Sequence, residues 1–261
     1  MMARWGLRIA TGLVLAFIYI PILVTIIYAF NPNRVATWPP DGISLQWFAA
    51  AAENRGLREA FSSSILAALG ATAVALVLGT LASFAVARFR FFGRETVSFI
   101  VLLPIALPGI VTGIALNASF STLDLSFGML TIIVGHATFC IVLVYNNALA
   151  RLRRSARSLE EASMDLGADA LQTFRRITFP QLRTALVAGG LLAFALSFDE
   201  IIVTTFTAGG VKTLPIWIFQ NYRLANQAPI VNVAAVIAIA LSVIPVYIAQ
   251  RLSGVEAATT R

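Results

Sequence analysis

Five stretches of this sequence contain no Asp, Glu, Lys or Arg, namely residues 9–30, 60–87, 96–123, 125–150 and 224–250, and a sixth, 184–211, is broken only by Asp199 and Glu200. A helix rises about 1.5 Å per residue and the hydrocarbon core of a bilayer is about 30 Å thick, so about 20 apolar residues cross it. Each stretch is long enough. Hydrophobic residues make up 59% of the 261 positions and charged residues only 12%, about half the charged share of a soluble domain. In lipid no water satisfies the backbone, which restricts such runs to helices. The expectation is an all-α membrane protein with six transmembrane helices near 9–30, 61–87, 97–120, 129–150, 184–207 and 230–250. These form one transmembrane domain over 1–261, with a polar loop at 151–183. The first run has 22 residues, longer than a signal h-region of about 7 to 15, and no A-x-A site follows it, so it counts as a span.

The net charge of +7 would raise nucleic acid as a partner in a soluble protein, but the charges alternate by loop. Fourteen of the 19 basic residues fall at the N-terminus (Arg4, Arg8), the second connection (Arg88, Arg90, Arg94), the fourth (Arg151 to Arg183) and the tail (Arg251, Arg261). The other loops hold five: Arg34, Arg55, Arg58, Lys212 and Arg223. The positive-inside rule then places both termini in the cytoplasm. The basic balance expresses orientation, and no nucleic acid is expected. Cys140 stands alone in an apolar run and can neither pair within the chain nor complete a metal site.

Between the first two spans, Asn31-Pro32-Asn33 and Pro39-Pro40-Asp41-Gly42 form turns, with room for a short interfacial helix; Trp38, Trp47 and Phe48 suit the water–lipid boundary as anchors. The third span carries Pro104, Pro108, Gly109 and Gly113, consistent either with a broken ladder beside a pathway or with a kinked packing helix. His136 sits mid-span as an interhelical hydrogen-bond partner with no further role assigned, and Asn146 and Asn147 read the same way.

The loop at 151–183 spells two short helices. Ser158 with Glu161 three residues on is a capping box, Gly167 stops the first helix, and Asp169 with Gln172 opens a second that should end before Pro180. Leu159, Ala162 and Leu166 share one side of the first; Leu171, Phe174 and Ile177 cluster on the second. On physical grounds this hairpin suits a partner's groove or the membrane surface equally.

Glu161-Ala162-Ser163, Gly167 and Ile177-Thr178-Phe179-Pro180 resemble the Glu-Ala-Ala loop of binding-protein-dependent ABC importer permeases, with every spacing kept and two departures, Ser163 for alanine and Phe179 for leucine. The resemblance implies a type I ABC importer permease with a cytoplasmic coupling helix, in which Glu160, Glu161, Ala162, Ser163, Asp165, Leu166, Gly167, Phe174 and Pro180 meet an ATPase subunit. It also implies the partners: an ABC ATPase dimer, a second homologous permease, an extracytoplasmic solute-binding protein and the bilayer of a bacterial cytoplasmic (inner) membrane. Leu196-Ser197-Phe198-Asp199-Glu200 and Thr213-Leu214-Pro215-Ile216-Trp217 further resemble the second permease of spermidine/putrescine-type importers. This implies a polyamine or related small cation, while similar systems import opines, aminophosphonates or iron.

Asp199 lies sixteen residues after Arg183, about 24 Å along a continuous helix and beyond the midplane. An acidic side chain there costs roughly 2.5 to 3.5 kcal/mol unless it faces water or a partner. On one helix Glu200 would share its face with Ser197 and Thr204, so Glu200, then Asp199, Ser197 and Thr204, are the candidate substrate-pathway residues; the other reading is that the acids cap or pair near Lys212.

The phosphate loop G-x-x-x-x-G-K-[ST] is missing, since the only lysine, Lys212, follows Val211. A non-catalytic subunit is expected, with no cofactor of its own and ATP and Mg held by a separate ATPase chain. The competing class is an ion-driven secondary carrier or channel, for which inverted repeats would be the sign; none is evident.

Overall fold

The computed structural model describes residues 2–35 and 37–259, and every regular element among them is helical; Arg261, counted above with the basic tail, lies outside them. Two compact units share the chain: Met1–Glu59 with Ile216–Ala240, and Ala60–Pro215 with Leu241–Arg261.

In the first unit α1 (Met2–Ala29) runs into an ordered loop, and α2 (Gln46–Glu53) is a short helix between the first two spans. The loop folds back on itself because its polar groups find one another: the Trp47 indole N–H donates to the Asn31 carbonyl at 2.8 Å, and Ser44 N–H to the Phe30 carbonyl at 2.7 Å. Phe30 and Phe48 pack against each other with ring centroids 5.0 Å apart and planes tilted by 39°. Trp47 and Phe48 are half-buried in this packing, while Trp38 is exposed. Asn54 ends α2, and its side-chain oxygen accepts from Leu57 N–H at 2.9 Å, starting α3 (Arg55–Arg88).

The second unit contains most of α3, then α4 (Arg94–Ala106), α5 (Gly109–Thr122), α6 (Met129–Arg154), α7 (Arg157–Asp165), α8 (Ala170–Thr173), a π turn at Phe174–Thr178, α9 (Phe179–Phe198) and α10 (Ile202–Thr207). α11 (Leu214–Asn221) and α12 (Ala228–Thr259) follow. Among the described residues five helical stretches are long and apolar enough to cross a membrane, Arg4–Ala29, Arg55–Arg88, Met129–Arg154, Ala170–Phe198 and Ala228–Leu252, and the bent pair α4–α5 makes a sixth if it is one span.

α6 lies at the centre of the second unit, flanked by α3 and α9. Small residues bring the backbones together: a Cβ on Gly79 would meet Ile141 O at 2.9 Å and Val144 Cβ at 3.0 Å, and one on Gly189 would meet Val144 Cα at 3.2 Å. Val144 is thus held between two glycines on neighbouring helices. Within lipid, where apolar burial gives no net drive between helices, such contact is what holds them together.

The third span, expected over 97–120 with either a broken ladder or a kink, is two helices bent by 107°, because Leu107 precedes a proline and adopts extended backbone, and Pro108 has no N–H to continue the ladder. Three expectations need correction, one for a span and two for the loop. The fifth span, expected as continuous over 184–207, breaks after Phe198 and resumes at Ile202. The first loop helix begins at Arg157 with Ala156 at its N-cap and no side-chain cap, so Ser158 already lies inside the helix and the Ser158–Glu161 box does not form; Glu161 instead pairs with Arg157 at 3.1 Å. The second loop helix does not stop before Pro180. It passes through the π turn, in which Phe179 N–H donates to the Phe174 carbonyl, directly into α9. The wider turn accommodates a proline that an unbroken α-helical ladder would reject.

Candidate functional site

The loop between α6 and α9 is a hairpin with a glycine hinge. Gly167 sits at φ +88°, where a side chain is strained, and Gly167 and Ala168 N–H groups donate back to the carbonyls of Met164 and Ser163 at 2.9 and 3.1 Å. Asp169 then accepts from Gln172 N–H at 2.8 Å while its own N–H donates to the Gln172 side chain at 3.4 Å, so the second capping box is formed. Ser163 and Thr173 hydroxyls, 3.2 Å apart, tie the two arms together.

The hairpin turns large apolar side chains outward among its polar ones. Leu166 is 89% exposed and Leu171 67%. Glu161, Ala162, Asp165 and Pro180 are exposed as well, whereas Ser163 and Phe174 are half-buried, the latter edge-on to Phe84 of α3 with centroids 5.9 Å apart. Glu160 faces inward: its Oε1 lies 2.8 Å from Arg88 Nη2 and accepts from the Thr178 hydroxyl at 3.1 Å. Arg151 Nε donates to the Gln181 carbonyl at 2.8 Å, and the Ser155 hydroxyl bonds the Gln181 side chain.

The second polar region surrounds the break in the fifth span. His136 of α6 has Nδ1 2.7 Å from Ser197 Oγ at the end of α9 and Nε2 2.8 Å from Thr204 Oγ1 in α10. Thr204 donates its single hydroxyl proton to the Glu200 carbonyl at 2.8 Å, so it accepts from His136 Nε2–H. All three side chains are buried. Ser197 and Thr204, expected to line a pathway, therefore point at histidine inside the protomer. Glu200 Oε1 accepts from Val203 N–H in the first turn of α10 at 2.9 Å, while Asp199 is exposed. Carbonyls at the end of α10 find partners on other helices: Phe206 O from Asn117 Nδ2 and Thr207 O from Thr131 Oγ1, both at 2.7 Å. A backbone interrupted at membrane depth needs such donors. Sequence reading missed the contacts of Arg88, Asn117 and Thr131, because an arginine at a span end looks like any topogenic charge and a lone hydroxyl or amide in an apolar run looks like packing; Thr178 entered only as a motif position, with no sign of its bond to Glu160.

Among the described residues no group of His, Cys, Asp and Glu could hold a metal ion.

Residues 75–254 match the family model of the binding-protein-dependent transport system inner membrane component. The chain belongs to this family. The permease is 35% identical over 237 residues to the putrescine transport system permease protein PotI of Escherichia coli (strain K12), covering 87% of the permease and 84% of that protein. It is 32% identical over 255 residues to the spermidine/putrescine transport system permease protein PotC of Haemophilus influenzae, covering 97% and 98%. In fold the permease is similar to a chain of a bacterial ABC transporter that imports the acidic polysaccharide alginate, with a TM-score of 0.73 at 17% identity and 96% of each chain covered. It is also similar to a chain of the MetNI methionine ABC transporter, with a TM-score of 0.59 at 18% identity, covering 76% of the permease and 93% of that chain. It is a multi-pass permease subunit of an ABC importer, with the all-helical architecture of that class.

Proposed function

We propose that this permease forms half of an inward pathway for a polyamine or a similar small cation, driven by a separate ATPase dimer that docks on the hairpin at 157–180. The observation that carries the docking is the exposed Leu166 and Leu171 at the tip of a hairpin otherwise closed by caps and hydroxyls. With Leu159 and Met164 also exposed on the same hairpin, these apolar side chains suit a partner's groove. ATP and Mg belong to that ATPase. A second homologous permease and an external solute-binding protein complete the assembly in the inner membrane, with both termini of this chain cytoplasmic, as the loop charges require.

The polyamine follows from the two relatives named for putrescine and spermidine transport. Asp199 and Glu200 would draw the cation to the break in the fifth span, with the exposed Asp199 the first met and Glu200 behind it. Affinity purification of the tagged chain from its native membrane, followed by ATP-driven uptake of labelled putrescine and spermidine in proteoliposomes, tests the whole reading. Co-purification of an ATPase and a second permease with ATP-dependent uptake is expected. A chain that purifies alone, or a complex that moves neither polyamine, overturns it.

A further inference from the structure

Arg88 closes α3, yet its guanidinium turns inward to other elements. Nη2 and Nε lie 2.8 and 3.2 Å from Glu160 Oε1 in α7, and Nη1 donates to the Leu152 carbonyl near the end of α6 at 3.2 Å. Thr178, in the π turn that leads into α9, donates to the same carboxylate oxygen at 3.1 Å. One side-chain pair therefore joins the ends of α3 and α6, the first arm of the hairpin and the root of α9. The two side chains are only 10% and 12% exposed, and breaking a pair so removed from water leaves an uncompensated charge behind.

The surroundings are less firm. A cleft of about 640 Å³ opens between α3 and the hairpin, lined by Leu81, Phe84, Met164, Leu171 and Phe174. The covalent links to α7 are short non-helical pieces, Ser155–Ala156 in extended backbone and the turn at Gly167. A push on the hairpin tip could be absorbed by closing the cleft unless something spans it.

We infer that Arg88, acting through Glu160 and Thr178, is the positioning residue that makes the hairpin move as one body with α3, α6 and α9, so that displacement by the ATPase reaches the spans. This rests on the docking reading of the hairpin. No part of it involves contact with solute or nucleotide. The pair acts as a strut, and its loss separates ATP hydrolysis from transport while leaving the partner bound.

The test uses the complete complex, purified and reconstituted in proteoliposomes, and reads labelled putrescine moved per ATP hydrolysed together with the amount of ATPase retained. Arg88→Gln and the isosteric Glu160→Gln are each expected to lower the ratio about tenfold with the ATPase still bound, and the double variant to be no worse than the lower single one, because both remove the same contact. An unchanged ratio in an assembled complex overturns the inference. Failure of both variants to assemble overturns it too, since the pair would then be a requirement of folding. Leu166→Asp separates the two readings: if it leaves the ATPase bound, the docking site is wrong, whereas if it releases the ATPase while Arg88→Gln keeps the ratio, only the strut is wrong.

Discussion

His136 Nε2, on α6, stands 2.8 Å from Thr204 Oγ1 of α10, the second of the two helices of a broken span. Its other nitrogen holds Ser197 at 2.7 Å, so a single imidazole clamps both sides of the break. Replacing it leaves two buried hydroxyls without their partner. His136→Leu is expected to cost about 1–3 kcal/mol, seen as a lower Tm of the purified permease in detergent. A Tm equal to that of the parent would show that the clamp contributes nothing.

Glu200→Gln separates charge from capping. The glutamine carbonyl can still accept from Val203 N–H, which Glu200 Oε1 accepts at 2.9 Å, so α10 keeps its start and only the charge is lost. The half-saturating putrescine concentration for uptake is expected to rise by about tenfold, the equivalent of roughly 1.4 kcal/mol, and at least as much for the exposed Asp199→Asn. Unchanged values for both would leave the acids a purely structural role.

Gly167 takes φ +88° with no atom near its missing side chain, so strain alone decides what replaces it. Gly167→Ala should cost about 1–2 kcal/mol of hairpin stability, and Gly167→Pro, which also removes the N–H bonded to Met164 O at 2.9 Å, should release the ATPase. Mass spectrometry of the co-purified complex measures this; retention of the ATPase by the proline variant would contradict the hairpin's role.

Gly79 tests the packing of the spans. Its Cβ would press on Ile141 O and Val144 Cβ at 2.9 and 3.0 Å, whereas Gly12 in α1 has nothing within 4 Å. Gly79→Ala is expected to destabilise by about 1–3 kcal/mol, and Gly12→Ala to be neutral or slightly stabilising. Thermal unfolding of the two variants side by side gives the comparison, and equal Tm values would remove close backbone approach as the basis of the core.

The all-helical membrane class was legible in the charge-free runs, because a bilayer imposes one length and one secondary structure on any chain that crosses it. The glycine stop of the hairpin was legible too, as was the box of Asp169 and Gln172, which depends on residues three apart. The start of α7 was not. Ser158 has the right spacing from Glu161, but the cap falls two residues earlier at Ala156, and Glu160 is drawn to Arg88, 72 residues away.

Local sequence therefore determined what depends on a few adjacent residues or on solvent alone: helices, apolar length, the hairpin and the balance of charge along the loops. Tertiary structure decided where those helices break and what the polar groups between them do. At the gap Asp199–Ile201 Glu200 accepts from Val203 N–H and His136 of α6 holds Ser197 and Thr204 on either side, while α5 and α6 supply Asn117 and Thr131 to the carbonyls at the far end of α10. The energy of an interrupted backbone in lipid depends on donors from distant parts of the chain, and no periodicity within the span records whether they will be there.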